Sequence, residues 1–334
     1  MIGLEAVDDH LRRHYAIDGD IAIEPVAMGR ASNHKVSSEG GSWLFKVFQA
    51  EYTPTRLLRA ADFIRYLASS GYPVRECVSA GAGEPITLLE GRVAVLIPWV
   101  AGDTPEPNTV SSPDALNQIG ALCGRLHRLG STYPGVEALD AAGHVAPRQV
   151  AAKRIVDKRS ALLDLAARTE DAEIQDEIGV RIAILDRLGD ELAASDQQVR
   201  HGVIHGDFFC SHVVFREQQA IAVIDVLGER YVPAWEMMRG FFQSVPSVFQ
   251  SPQFDVPWRA YLSGYASEHP IQSPDIAIAY DAYLLQLSSS RYGLQPPLDD
   301  KLRAFGRWRT RMAQYLADQR AEVRLMMATA PTWS

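Results

Sequence analysis

Cysteine is scarce in this chain. Cys77, Cys123 and Cys210 are its three cysteines in 334 residues. They are too far apart for a disulfide framework or a paired-cysteine metal site, and they read as thiols of a reducing compartment. Long apolar runs are also missing: the longest, Val93 to Val100, is far short of a membrane span and contains Pro98. The opening residues, Met1 to His10, lack the basic start and apolar centre of a secretory leader. Basic residues are in deficit, and a net charge of −8 argues against a nucleic-acid binder. No internal repeat or low-complexity tract is visible, and no serine elbow of the hydrolase kind is present. These absences predict a cytoplasmic chain with no membrane span and no nucleic-acid partner.

What is present is ample core material, since 47% of the residues are hydrophobic. Residues 5–15 read as a short amphipathic helix. Strand-like runs follow at Ala22–Val26, His34–Val36, Trp43–Phe48, Ile86–Leu89 and Val93–Ile97, with a hairpin turn at Glu39–Ser42. One helix interrupts them, with Leu57, Ala61, Ile64 and Ala68 on one face and Gly71 closing it. After Pro98 the text turns helical. Ser112-Pro113 starts a helix carrying Leu116, Ile119, Cys123 and Leu126, and Ile155, Leu162 and Leu165 suggest another. Ile174, Ile178, Ile182, Leu185 and Leu192 mark a long one. Later helices carry Ile276, Tyr280, Tyr283 and Leu287 after Pro274, then Leu302, Phe305, Met312 and Leu316. The expected class is α+β: a small antiparallel-sheet lobe with one helix, then a larger, mainly helical lobe, joined by an extended crossing near Trp99 to Gly102.

The chemistry concentrates in Val203 to Phe215 and Ala220 to Asp225. An apolar strand runs into a loop carrying His205, Asp207 and His212, and a second apolar strand ends on Asp225. Two carboxylates at the ends of neighbouring buried strands can hold a metal–phosphate substrate, one meeting an attacking hydroxyl and the other the metal. Lys46 stands in the apolar run Trp43 to Phe48, and a buried ammonium requires an anion nearby. Upstream, Gly29, Ala31 and Ser32 are small enough for backbone N–H groups to approach phosphate oxygens.

The pattern His205-Gly206-Asp207, then residue 212, then Ile224-Asp225 resembles the catalytic segment of the aminoglycoside phosphotransferase and choline kinase family. These are small-molecule kinases with a bilobal protein-kinase-like fold, and the likeness extends over nearly the whole chain. It implies a nucleotide-binding lobe over residues 1–101 and a helical lobe with catalytic loop and acceptor site over 102–334. It implies phosphoryl transfer from ATP or GTP, with Mg²⁺, to a hydroxyl of an antibiotic (hence antibiotic resistance), a sugar, an amino alcohol or a similar metabolite. Asp207 would orient or deprotonate that hydroxyl, with His205 beside it in the catalytic loop, where a His more often buttresses by hydrogen bonding than takes a proton itself. Lys46 would contact the phosphates, with Gly29 and Ser32 in the loop above them. Ile97, Trp99 and Val100 would receive the base; Pro98 has no N–H, so the backbone donor is Trp99 or Val100. Asp225 and residue 212 would bind metal.

The chain departs from the family pattern in several places, Val232 before Pro233 among them, where the family often has Asp. Position 212 is His where the family has Asn, and imidazole nitrogen suits zinc or manganese better than magnesium. Three readings follow: His212 still ligates a metal, Asp225 and water hold it alone, or the chain binds ligands without catalysis. The helix after Lys46 carries no Glu to pair with it, and Asp62 is the substitute. The segment Tyr231 to Arg239 resembles a family segment with Glu236 in place of Asp, an acid expected to stabilise the catalytic loop through backbone contacts. His127 is read as packing. A zinc site from His205, Cys210 and His212 matches no common spacing.

Overall fold

The computed structural model describes residues 2–26, 31–81, 83–141, 151–193, 201–250, 253–296 and 298–329. Gly29 and the side chain of Leu192 lie outside the described residues. After helix α1 (Leu4–Tyr15) come strands β1 (Ala22–Val26), β2 (Ser32–Ser38) and β3 (Gly41–Val47), helix α2 (Pro54–Ser69), and strands β4 (Thr87–Leu89) and β5 (Arg92–Pro98). The five strands form one antiparallel sheet in the order β1-β2-β3-β5-β4. Gly41, at φ +141°, makes the β2–β3 turn possible, as the Glu39–Ser42 text predicts. Lys46 lies in the sheet's middle strand, opposite Asn33 on one side and Val95 on the other.

The N-terminus of α2 is capped by Thr53, whose hydroxyl accepts the Arg56 N–H, with Pro54 in the first turn. Its inward face, Phe63 and Leu67 among others, packs into the main core beside the helical region. Two smaller clusters lie against the sheet, one of them joining α1 (Val7, Leu11) to Phe45 and Leu96. The crossing after Pro98 is tied down at once. Asp103 and Phe215 exchange both backbone hydrogen bonds, and a Cβ on Gly102 would stand 2.5 Å from the Phe215 carbonyl oxygen.

The helical region comprises α3 (Pro113–Gly130), α4 (Ala151–Arg168), α5 (Ala172–Ala193), α6 (Pro233–Ser244), α7 (Asp255–Glu268), α8 (Ser273–Ser289), α9 (Asp300–Asp318) and α10 (Arg320–Ala328). Ser112 caps α3, and Leu116, Ile119, Cys123 and Leu126 are fully buried, as their spacing requires. The α3–α7 crossing is close enough that a Cβ on Gly264 would lie 1.9 Å from the Asn117 carbonyl oxygen. Between α5 and α6 run short strands β6 (Gly202–Ile204), β7 (Val213–Arg216), β8 (Gln219–Val223) and β9 (Glu229–Tyr231).

Three expectations change. The strands before Asp207 and Asp225 are not paired with each other: β6 pairs with β9, while β7 and β8 form a separate hairpin. Asp225 does not end a strand but follows β8 in the left-handed region, at φ +64°. On α9 the inward face carries Arg303, Arg309, Met312 and Leu316, while Leu302 and Phe305 are only half-buried.

Candidate active site

Strand β6 delivers His205, Gly206 and Asp207 onto a buried platform. Glu236, in the first turn of α6 and fully buried, accepts the His205 N–H at 2.7 Å and the Gly206 N–H at 2.8 Å. His127 Nε2 lies 3.0 Å from the same carboxylate, and its Nδ1 lies 2.8 Å from the Tyr265 hydroxyl. Burial alone would raise the Glu236 pKa, but the hydrogen bond and charge of His127 and the support of His205 hold it down to about 2. Glu236 thus stabilises the loop through backbone contacts, while His127, read from sequence as packing, is a hydrogen-bonded member of the platform. Cys123, His127 and Glu236 could be read as a buried metal site. The His127 and Glu236 atoms are already committed to one another and to the loop.

The His205 ring has no exposed surface. Its Nδ1 accepts the Asp207 N–H at 3.2 Å, so Nε2 carries the proton and donates to the Ile224 carbonyl at 2.9 Å. Burial keeps this ring neutral, and nearby His212 adds to the effect. The Leu227 and Gly228 N–H groups donate to the His205 carbonyl, at 3.1 and 3.3 Å. His205 therefore joins the Asp207 segment to the Asp225 segment as a brace. Of the two roles its place in the loop allows, the buttress fits and the proton acceptor does not: a ring with both nitrogens occupied and no exposed face has no access to an acceptor's proton.

Above the platform the acids converge. Lys46, 9% exposed on β3, forms an ion pair with Asp225 Oδ1 and lies 4.9 Å from the centre of the Phe48 ring. The anion that a buried ammonium demands is therefore Asp225. Burial would push that carboxyl up, but Lys46 foremost, then His212, hold it at about 2. His212 Nδ1 donates to the Asp207 carbonyl at 2.7 Å, because a carbonyl can only accept. Its Nε2 lies 3.9 Å from Oδ2 of Asp207 and 3.9 Å from Oδ2 of Asp225. Packing fixes the ring in place: it stacks on His205 at 5.5 Å and meets the edge of Phe209 at 4.7 Å. Two carboxylates and one imidazole nitrogen turned toward both form a donor set that fits a divalent cation.

The structure also brings in residues that the motif did not suggest. Arg239 of α6, 7% exposed, forms an ion pair with Asp207 and donates to the Phe208 carbonyl at 3.2 Å. Its signal was in the text: an arginine inside the apolar run Met237 to Phe242 must find an anion. Arg56 of α2 reaches Glu229 at 2.5 Å and lies 4.7 Å from the centre of the Tyr52 ring, linking the helix of the sheet region to β9.

Other expected residues fall elsewhere. Asp62 does not pair with Lys46: it is 61% exposed and bonds Arg65 at 2.9 Å. It occupies the outer face of α2, one residue before buried Phe63. Ser32 opens β2 opposite Val47, one register step from Lys46. Ile97 pairs with Leu44 across β5 and β3. The Trp99 N–H is taken by the Ser42 carbonyl at 2.9 Å, which leaves Val100 of the two expected donors. Cys210 Sγ turns toward the Pro105 and Glu106 carbonyls and so does not join His205 and His212.

A sequence model of the phosphotransferase enzyme family matches residues 22–226. The chain belongs to that family. Its curated relatives include homoserine kinases of Acidiphilium cryptum and Caulobacter vibrioides. The first is 24% identical over 66% of this chain and 65% of the relative, the second 24% identical over 62% and 60%. The chain therefore spans less than two thirds of these relatives' lengths. Among solved structures, an amicoumacin kinase in complex with AMP-PNP, Ca²⁺ and Ami has a TM-score of 0.69 at 15% identity, covering 94% of each chain. A microcompartment-associated aminopropanol kinase has a TM-score of 0.68 at 14% identity, covering 97% of this chain and 100% of that one. A spectinomycin phosphotransferase in complex with ADP and spectinomycin has a TM-score of 0.66 at 13% identity, over 94% and 98%. The fold is the bilobal, protein-kinase-like one of these phosphotransferases.

Proposed function

We propose that the chain is a small-molecule kinase transferring the terminal phosphate of ATP or GTP to a hydroxyl group. The observation that carries this is the convergence of Lys46, Asp225, His212 and Asp207 on a platform closed by Glu236. In this reading residues 1–101 form the nucleotide lobe, with Ser32 and the Gly29 loop over the phosphates and Ile97, Trp99 and Val100 along the base. Of these, the Val100 N–H is the backbone donor for that base. Residues 102–334 supply the catalytic loop and the acceptor site.

Lys46 exchanges its hold on Asp225 for contacts to the nucleotide phosphates, and Asp225 with His212 holds a divalent cation, Mg²⁺ in the simplest case. When bound, that cation neutralises charge on the transferring phosphate. Asp207 meets the acceptor hydroxyl. Arg239 pairs with this carboxylate, whose role is to orient that hydroxyl and to take its proton as the O–P bond forms. Assistance of this kind is worth roughly a hundred- to ten-thousandfold. The three unpaired thiols among the described residues suit a reducing, cytoplasmic setting, and no described helix is long and apolar enough to cross a membrane.

A second reading is a nucleotide- or small-molecule-binding protein impaired in catalysis, and His212 in place of Asn is what favours it. Calorimetry with nucleotide and Mg²⁺, followed by a transfer assay over hydroxyl acceptors, separates the two. Transfer to any acceptor supports the kinase. Binding without transfer, with Mg²⁺ or Mn²⁺, supports the second reading.

A further inference from the structure

Helix α2 begins against its own electrostatics. Its first turn holds no acid, while Arg56 and Arg59 stand in the first two turns, where the helix dipole disfavours a cation. The compensation comes from the helical region. Arg56 Nη2 lies 2.5 Å from Glu229 on β9, its Nε lies 3.6 Å from Asp140, and Arg59 reaches the same Asp140 at 3.0 Å. Asp140 is itself tied to β9, because its carbonyl accepts the Arg230 N–H at 2.8 Å.

Glu229 stands against the catalytic loop. It follows closely on Asp225 and pairs across the strands with Ile204, the residue before His205. Its side chain is 13% exposed, and a Cβ on Gly206 would lie 3.4 Å from its Oε2, so the carboxylate covers the loop backbone. Phe63, two turns after Arg56 on the same face of α2, presses on Gly228: a Cβ there would lie 2.6 Å from the ring. These two contacts of α2 both fall on the stretch that follows Asp225. On the other side, the Arg56 guanidinium lies 4.7 Å from the Tyr52 ring centre. Tyr52 lies 5.2 Å from Phe48, and the Lys46 ammonium 4.9 Å from Phe48. Since Lys46 pairs with Asp225, the two are joined directly and, the long way round, through Phe48, Tyr52, Arg56 and Glu229.

We propose that Arg56 is a positioning residue for phosphoryl transfer, acting through Glu229 to hold Asp225 and the Gly206 backbone at a fixed distance from Lys46. No acid of α2 reaches Lys46, since Asp62 faces outward. The helix instead grips the strand behind the metal-binding acid, with the opposite charge. A nucleotide that draws Lys46 away from Asp225 leaves the Arg56–Glu229 pair in place, and that pair keeps α2 on the segment. The inference rests on the kinase reading for its effect on rate, but not for the contact itself.

Arg56→Met should lower kcat for γ-phosphate transfer by about 10- to 100-fold, the cost of a misplacement of about 1 Å, with the acceptor KM unchanged. Glu229→Gln should match it, and the double variant should be no slower than either single one. Arg56→Lys, which keeps the charge without the fork, should recover part of the rate. Arg59→Met is the control: it takes the same charge from the same helix, touches Asp140 but not Glu229, and should keep kcat within about twofold. If Arg56→Met does not fold, Arg56→Lys and Glu229→Gln carry the comparison. An unchanged kcat in Arg56→Met, an equal loss in Arg59→Met, or losses that multiply in the double variant overturn the inference and leave the kinase standing. If the wild type transfers phosphate to no acceptor, the kinase reading falls and amide hydrogen exchange over residues 225–231 decides. Faster exchange there in Arg56→Met, but not in Arg59→Met, keeps the inference. Exchange that matches the wild type, or rises equally in both variants, overturns it.

Discussion

The platform under residues 205–207 and the rim above them use the same residue types in opposite ways. Below, Glu236, His127 and His205 are fully buried, and their polar atoms are matched by backbone or by one another. Above, Asp207 and Asp225 keep 50% and 39% of their side-chain surface exposed, and His212 turns its Nε2 toward both. A carboxylate that is saturated and dry holds a loop, whereas one that is half-wet and shares its counter-charge can give that charge to a ligand. Two histidines stacked 5.5 Å apart fall on opposite sides of this divide.

Substitutions on the two levels should separate activity from stability. The largest effect belongs to the rim: Asp207→Asn should lower kcat by about 10²- to 10⁴-fold in the transfer assay. Its oxygen can still face Arg239, so the melting temperature should move little. On the platform, Glu236→Gln should destabilise by about 3 kcal/mol in urea titration, because buried donors lose a charged acceptor. A stable Glu236→Gln protein that is merely slow would erase the distinction. As a control away from both levels, Gly264→Ala should cost about 2–4 kcal/mol by the same titration, since its Cβ has no room against Asn117. His212→Asn should change kcat by less than about tenfold while shifting the Mn²⁺-to-Mg²⁺ affinity ratio toward Mg²⁺, read by calorimetry.

Acid should reveal the smallest difference. Burial lowers the folded-state pKa values of His205 and of His10, the latter to about 4. The stability these rings contribute is present above their ordinary value near 6.5 and is lost as pH falls toward their folded values. Glu236 and Asp225, held at about 2, contribute stability that is present above the ordinary carboxylate range and is lost only as pH falls through about 2. Denaturation midpoints should therefore fall in two stages on acidification, and His10→Gln should flatten the first.

The same division governs what could be read in advance. Elements with one wet face showed their period: α2, α3, α4, α5 and the five-stranded sheet all lie where the text placed them. Helix α6 gave no period because every residue from Trp235 to Ser244 is buried, and α7 and α10 were likewise not expected. Strand β9 is three residues long, two of them charged, and carries no alternation to detect. At the site, the motif located the segments of Lys46, Asp207, His212 and Asp225, but geometry had to say that Lys46 pairs with Asp225 and Asp62 does not. Arg239, the partner of Asp207, lay in plain text as a charge on a buried face. It was missed because the motif drew attention to the acids and not to what opposes them.

The central claim is that Asp207 faces the acceptor hydroxyl while Lys46 contacts the nucleotide's phosphates and Asp225 holds the cation that bridges them. Transfer of labelled γ-phosphate from ATP to a hydroxyl acceptor, in wild type and in Asp207→Asn, tests it most directly. The account predicts labelled product from the wild type and its near-complete loss in the variant, with nucleotide affinity preserved. A variant that labels the acceptor as fast as the wild type would contradict it.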